Sequence, residues 1–182
     1  MPTPVSNPNY FEMFNLAPEF RLDHGLLDTH YHDLQRCVHP DKAASLGDTE
    51  RRLSLQRATL ANEAYRTLKK PLDRAGYLLR LHGVDTREES HAGIPTEFLL
   101  KQMEWREELH EAVRDGDARE LDKLERRIKA ELENHLESLG SLLDVEHSFE
   151  TAADLVRRMR FLDRLSAEVN AAYELLENRT CC

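Results

Sequence analysis

The chain has 182 residues, 40% of them apolar and 32% charged, with seven Gly and seven Pro. That suffices for one domain or two small ones, and favours long helices with solvated charged faces over a β-sandwich. The net charge of −9 is uneven: residues 1–83 carry eleven Lys/Arg and ten Asp/Glu, residues 84–182 fourteen and twenty-four. So acidic a second half repels phosphate backbones and argues against nucleic acid as a partner.

The opening "MPTPVSNPNY" has no basic region followed by an apolar one, so residues 1–9 are expected to form a disordered lead rather than a secretory signal. No run of 18 apolar residues occurs, which argues against a membrane span. "YFEMFNL" predicts a short helix ended by Pro18. Asp23 can cap the next, with Leu27, Tyr31, Leu34 and Val38 on its apolar side and Pro40 as its stop. A loop through Gly47 and a cap at Asp48 or Thr49 lead to a third helix, about Glu50 to Lys69. Its apolar side holds Leu53, Ala58, Leu60, Ala61, Ala64, Tyr65 and Leu68. Pro71 can open a fourth helix that stops at Gly83.

Residues 84–95, "VDTREESHAGIP", are polar, contain Gly and Pro, and coincide with the change in charge, so they are expected to be a linker. Three long helical patterns follow: from a cap at Thr96 to about Arg114, from about Asp117 to Leu139, and from near Ser148 to about Glu177. In the last, Leu155, Leu162, Val169 and Leu176 recur every seven residues, with Met159 and Tyr173 on the same side, which is a bundle seam. The expected fold is all-α: a helical hairpin domain over 10–83, the linker, a three-helix bundle over 96–178 and a flexible tail over 179–182.

His39-Pro40-Asp41 sits between the second and third helices. As local chemistry it is a helix stop that leaves Asp41 free in a turn. Metal binding is disfavoured, because His30 and His32 point roughly 200° apart on a helix and no ligand pair has helical spacing. There is no GxSxG, P-loop or GxGxxG. Cys37, Cys181 and Cys182 form no CxxC or disulfide framework, which fits a reducing, cytoplasmic setting. The terminal Cys pair leaves open a lipid acceptor, a cluster ligand or a frayed tail with free thiols.

In the bundle, Phe98, Trp105, Leu109 and Ala112 form one stripe of the first helix, the expected core face. Leu99 and Met103 lie four apart on its flank, and Leu100 points toward Glu104, Glu107 and Glu111. In the last helix Phe161 sits about 100° off the seam, between Arg160 and Arg164. By geometry these apolar residues suit either a docking patch or a peripheral core.

About twenty residues beyond His-Pro-Asp comes "ANEAYRTLKKPLDRAGYLL". With His39, Pro40 and Asp41, the residues Asn62, Ala64, Tyr65, Leu68, Pro71, Arg74 and Tyr77 make the chain resemble a J-domain. "YFEMFNLAPEFRLD", "RAGYLLRLHG", "FLLKQMEWREEL" and "AADLVRRMRFLDRL" extend the likeness over about residues 10–176, to the HscB family of iron–sulfur cluster assembly. The resemblance implies a co-chaperone rather than an enzyme, with no cofactor. His39, Pro40 and Asp41, flanked by Arg36 and Lys42, would engage the DnaK-class chaperone HscA and promote its ATP hydrolysis. The bundle would bind the scaffold IscU at positions matching Leu99, Met103, Glu104, Arg106, Glu107, Arg160 and Phe161, with Leu100 beside them. On this reading Leu99, Met103 and Phe161 are expected to form one exposed patch. A general J-protein with varied unfolded clients, and a helical adaptor with no chaperone role, are the alternatives.

Overall fold

The computed structural model describes residues 8–38, 47–86 and 95–180, which are helical with no strand among them. The order is α1 (Tyr10–Met13), α2 (His24–Val38), α3 (Asp48–Lys69), α4 (Pro71–Leu81), α5 (Thr96–Asp115), α6 (Ala118–Asp144) and α7 (Phe149–Thr180). The chain divides into two compact units, Met1–Leu78 and Leu79–Cys182. The His39–Lys42 motif, residues 87–94 of the expected linker, and Cys181 and Cys182 lie outside the described residues.

In the first unit, α1 is shorter than the sequence predicts. Asn9 caps it, accepting from the Phe11 and Glu12 N–H groups while Glu12 reaches back to the Asn9 N–H. The helix stops at Met13, and Asn15 takes a left-handed φ of 52° that brings Phe11 and Phe14 into the core. Asp23 caps α2 as expected, accepting from the Gly25 and Leu26 N–H groups. Helix α3 starts earlier than predicted, on Gly47 rather than on a side-chain cap at Asp48 or Thr49.

Helices α2 and α3 form an antiparallel hairpin, because the contacting pairs run in opposite senses: Asp28 with Lys69 and Tyr65, Tyr31 with Tyr65 and Asn62, Gln35 with Asn62. Leu27, Ala61, Ala64 and Leu68 are buried. Leu53, expected on the apolar side, is instead 48% exposed. It lies two turns before Ala61, the first buried residue of α3.

In the second unit, the end of α4 is closed by a left-handed Gly83 with φ 77°. The Val84 N–H donates to the Leu79 carbonyl and the Gly83 N–H to that of Arg80, the paired bonds of a Schellman stop. The next residues are held on α7: Arg157 donates to the Asp85 carbonyl, Arg160 to that of Thr86, and Thr86 is buried. Helix α5 is preceded by Pro95, so Thr96 is its first residue rather than its cap. It ends at Gly116, with φ 71°, and Asp117 caps α6.

Helix α6 runs through to Asp144, five residues beyond the predicted end at Leu139. Gly140 and Leu143 are buried on its inner face, so breaking the helix at Leu139 would forfeit the Leu143 contact. Contacts of Lys101 with Glu131 and Glu108 with Arg127 make α5 and α6 antiparallel. Phe98, Trp105, Leu109, Leu121, Leu124, Ile128, Leu162, Leu165 and Val169 fill the bundle core, as the heptad seam predicts.

Candidate functional site

The motif residues around Asn62 turn out to be scaffold. The Asn62 side-chain oxygen accepts from the Tyr31 hydroxyl at 2.9 Å and from the Gln35 amide at 2.6 Å, tying α3 to α2. Ala64 and Leu68 are buried between the helices. Tyr65 stacks on Tyr31, with centroids 4.0 Å apart, and donates to Asp28. Lys69 also bonds Asp28, and these two donors hold the Asp28 carboxyl below its ordinary range. Buried Arg74 donates to the carbonyls of Phe20 and Leu68, and Tyr77 stacks on Tyr10 at 4.3 Å. Asn62, Ala64, Tyr65 and Leu68 thus build the hairpin, while Arg74 and Tyr77 tie α4 to Phe20, Leu68 and Tyr10.

Of the five residues expected to meet a chaperone, His39, Pro40, Asp41 and Lys42 lie outside the described residues. Arg36 is in the last turn of α2, largely exposed, and makes a surface ion pair with Asp33 at 3.4 Å. Such a pair costs little to break when a partner arrives.

On α5 the expected docking residues separate into two groups. Leu99, Leu100 and Met103 are 43%, 56% and 69% exposed. Glu104 and Glu107 are exposed beside them, and among the described residues no cation pairs with either. The result is an exposed apolar strip on α5 flanked by two carboxylates. Arg106 is exposed too, but reaches Glu168 at 3.5 Å and lies 5.7 Å from the Phe161 ring.

Phe161 corrects the expectation of one continuous exposed patch. It is 6% exposed and meets Phe98 edge-on, with centroids 5.9 Å apart. The buried arc of α7 is wide enough to take in the position 100° off its seam, because α5 and α6 both pack on that helix. Arg160 is likewise half-buried, with its guanidinium on the Thr86 carbonyl at 3.4 Å.

A charged layer that the sequence analysis missed lies at the same end of the bundle. Lys101 bonds Glu131 at 3.0 Å and sits 4.8 Å from the Trp105 ring. His135 lies one turn from Glu131 at 3.7 Å, and Arg158 is 5.8 Å from the Phe98 ring. Burial is the main cause that keeps the His135 imidazole below its usual pKa. Only the i,i+4 spacing of Glu131 and His135 could have signalled it.

No group of three His, Cys, Asp or Glu side chains able to hold a metal occurs among the described residues, and no helix of the structure is long and apolar enough to cross a membrane. The described residues form two helical units, the second with an exposed apolar strip on α5. Comparison with known proteins gives the family. Residues 94–170 match the family model described as the HSCB C-terminal oligomerisation domain. The co-chaperone protein HscB homolog of Burkholderia thailandensis is 45% identical over 170 residues, covering 93% of this chain and 97% of that protein. Chaperone HscB from Vibrio cholerae superposes with a TM-score of 0.81 at 35% identity, over 93% of this chain and 99% of that one. Human co-chaperone protein HscB gives a TM-score of 0.84 at 31% identity, over 93% and 83%. The chain belongs to the HscB co-chaperone family.

Proposed function

We propose that the protein stimulates the ATPase of a DnaK-class chaperone, HscA, and delivers to it the iron–sulfur scaffold IscU. The observation that carries this reading is the antiparallel α2–α3 hairpin, in whose connecting sequence His39-Pro40-Asp41 stands. Asp41 offers a carboxylate to a partner guanidinium, and Pro40 restricts the backbone, which lowers the ordering cost of binding. His39 orients the loop, and Arg36 and Lys42 supply flanking positive charge. Stimulation then follows from linkage: the protein binds the hydrolysis-competent chaperone state more tightly and shifts its population.

The scaffold reading rests on α5. Leu99, Leu100 and Met103 give apolar area, and Glu104 and Glu107 ask for basic groups on the partner. Arg106 lies on the rim, Phe161 acts from beneath by holding α5 on α7 through Phe98, and Arg160 ties the segment at Thr86 to α7. Chaperone ATPase turnover, measured with and without this protein and with and without the scaffold, tests both halves. Absence of stimulation in either condition sinks the chaperone role, and indifference to the scaffold sinks the delivery role.

A further inference from the structure

Lys101 belongs to the apolar strip of α5 by sequence but not by position. It lies between the exposed Leu100 and Met103, yet its ammonium turns across to α6, 3.0 Å from Glu131 Oε1 and 4.8 Å from the Trp105 ring. The same Glu131 oxygen is 3.7 Å from His135 Nε2, one helical turn on. That distance is too long for a hydrogen bond, and Nε2 is buried with no partner among the described residues. Lys101 of α5, Glu131 of α6 and Arg158 of α7 are the charged groups that face the imidazole among the described residues. The Arg158 Nε is likewise buried without a hydrogen bond. One carboxylate therefore stands between a lysine that it already holds and a histidine that it does not.

We propose that His135 and Lys101 compete for Glu131, and that proton uptake by His135 returns the Lys101 ammonium to the apolar strip of α5. With His135 neutral, Glu131 holds Lys101. The imidazolium gains an N–H to donate and a charge that Glu131 can satisfy, and a shift of about 1 Å closes that bond. Three cations then face one carboxylate. Lys101 is the one able to leave: its side chain is 37% exposed against 18% for His135, and it has a long flexible stem. Once released, it has Glu97 four residues before it and Glu104 three residues after it on α5, both exposed. The consequence for a partner rests on the scaffold reading above, in which Glu104 attracts basic groups. A lysine paired with Glu104 cancels that attraction and sets a cation beside Leu100 and Met103. The strip is therefore open to a basic partner above the His135 titration and guarded below it.

Trp105 is the only tryptophan in the chain and the Lys101 ammonium sits beside its ring, so its fluorescence reports the switch without any partner. In the full-length wild type, the emission maximum is expected to move as pH is lowered from about 8 to about 5.5, with a midpoint below about 6.5 and helical circular dichroism unchanged. His135→Gln and Lys101→Met should each abolish the movement. A flat wild-type emission, or the same titration in His135→Gln, overturns the proposal and leaves the scaffold reading intact. Calorimetry with the scaffold IscU at about pH 7.5 and about pH 5.8 tests the consequence: the wild-type dissociation constant should rise about fivefold more than that of His135→Gln. The scaffold's own titration is common to both proteins and cancels in that ratio. An equal rise in the two also overturns the proposal. A scaffold that binds wild type at neither pH removes the scaffold reading, and the inference with it. Should His135→Gln lose helix, Lys101→Met decides, since without the ammonium the pH-dependent loss must shrink to the same extent.

Discussion

Phe161 meets Phe98 edge-on, at 82° between ring planes, and thereby becomes a core residue of the bundle beneath the rim residue Arg106. Aromatic pairs of this geometry gain stability beyond the area they bury. The exposed apolar surface here is consequently narrower than the sequence implies: it is the Leu99–Leu100–Met103 strip of α5.

Phe161→Ala is expected to cost about 3–5 kcal/mol of stability, as truncation of a buried aromatic does. The double variant Leu99→Ala, Met103→Ala should instead leave the denaturant midpoint almost unchanged and weaken scaffold binding by about 2 kcal/mol or more. Urea unfolding and calorimetry on both variants check this. A Phe161→Ala variant as stable as wild type would contradict its burial.

Asp41→Asn keeps the shape of the side chain and removes its charge. Full loss of chaperone ATPase stimulation with an unaltered melting curve is the expected outcome. Stimulation at the wild-type level by a folded variant would show that the motif does not act through that carboxylate.

Asn62→Ala should destabilise the first unit by about 1–3 kcal/mol, because the half-buried Tyr31 hydroxyl and Gln35 amide lose their shared acceptor. The loss should appear in hydrogen exchange of α2 and α3 and leave α5 to α7 untouched. Uniform protection across both helices of the hairpin, equal to wild type, would refute the structural role assigned to Asn62.

His135 gives the bundle a pH dependence. Its pKa in the folded state is lowered from 6.5, chiefly by burial and further by Arg158 and Lys101, against the opposing pull of Glu131. The unfolded chain therefore binds this proton more readily than the folded one, and stability is present above about pH 6.5 and lost as pH falls through the folded value. His135→Gln should flatten the difference in urea midpoint between pH 7.5 and pH 5.5. An identical pH slope in variant and wild type would mean that another group carries it.

Local chemistry made the helices legible in the sequence. Asp23 caps, Pro71 starts and Gly83 stops where their side chains and backbones dictate, and the seven-residue recurrence of Leu155, Leu162 and Val169 names the seam. The motif residues were legible only through the family resemblance, and their bonds became visible in the structure: Asn62 and Tyr65 join α3 to α2, and Arg74 ties α4 to Phe20. The burial of Trp105 followed from phase, whereas phase left Leu99 and Met103 open between an exposed strip and a peripheral core, and the structure exposes both.

Tertiary structure decided what phase cannot. A helical period fixes the direction in which each side chain points, but not how wide the covered arc is or where along its length a neighbouring helix ends. Phe161 is buried because two helices pack on α7. Leu53 is exposed because it precedes the packed half of α3. Helix α6 continues to Asp144 because Leu143 still has a neighbour to pack on. In each case the period is correct, and the outcome depends on an apolar surface supplied by another part of the chain.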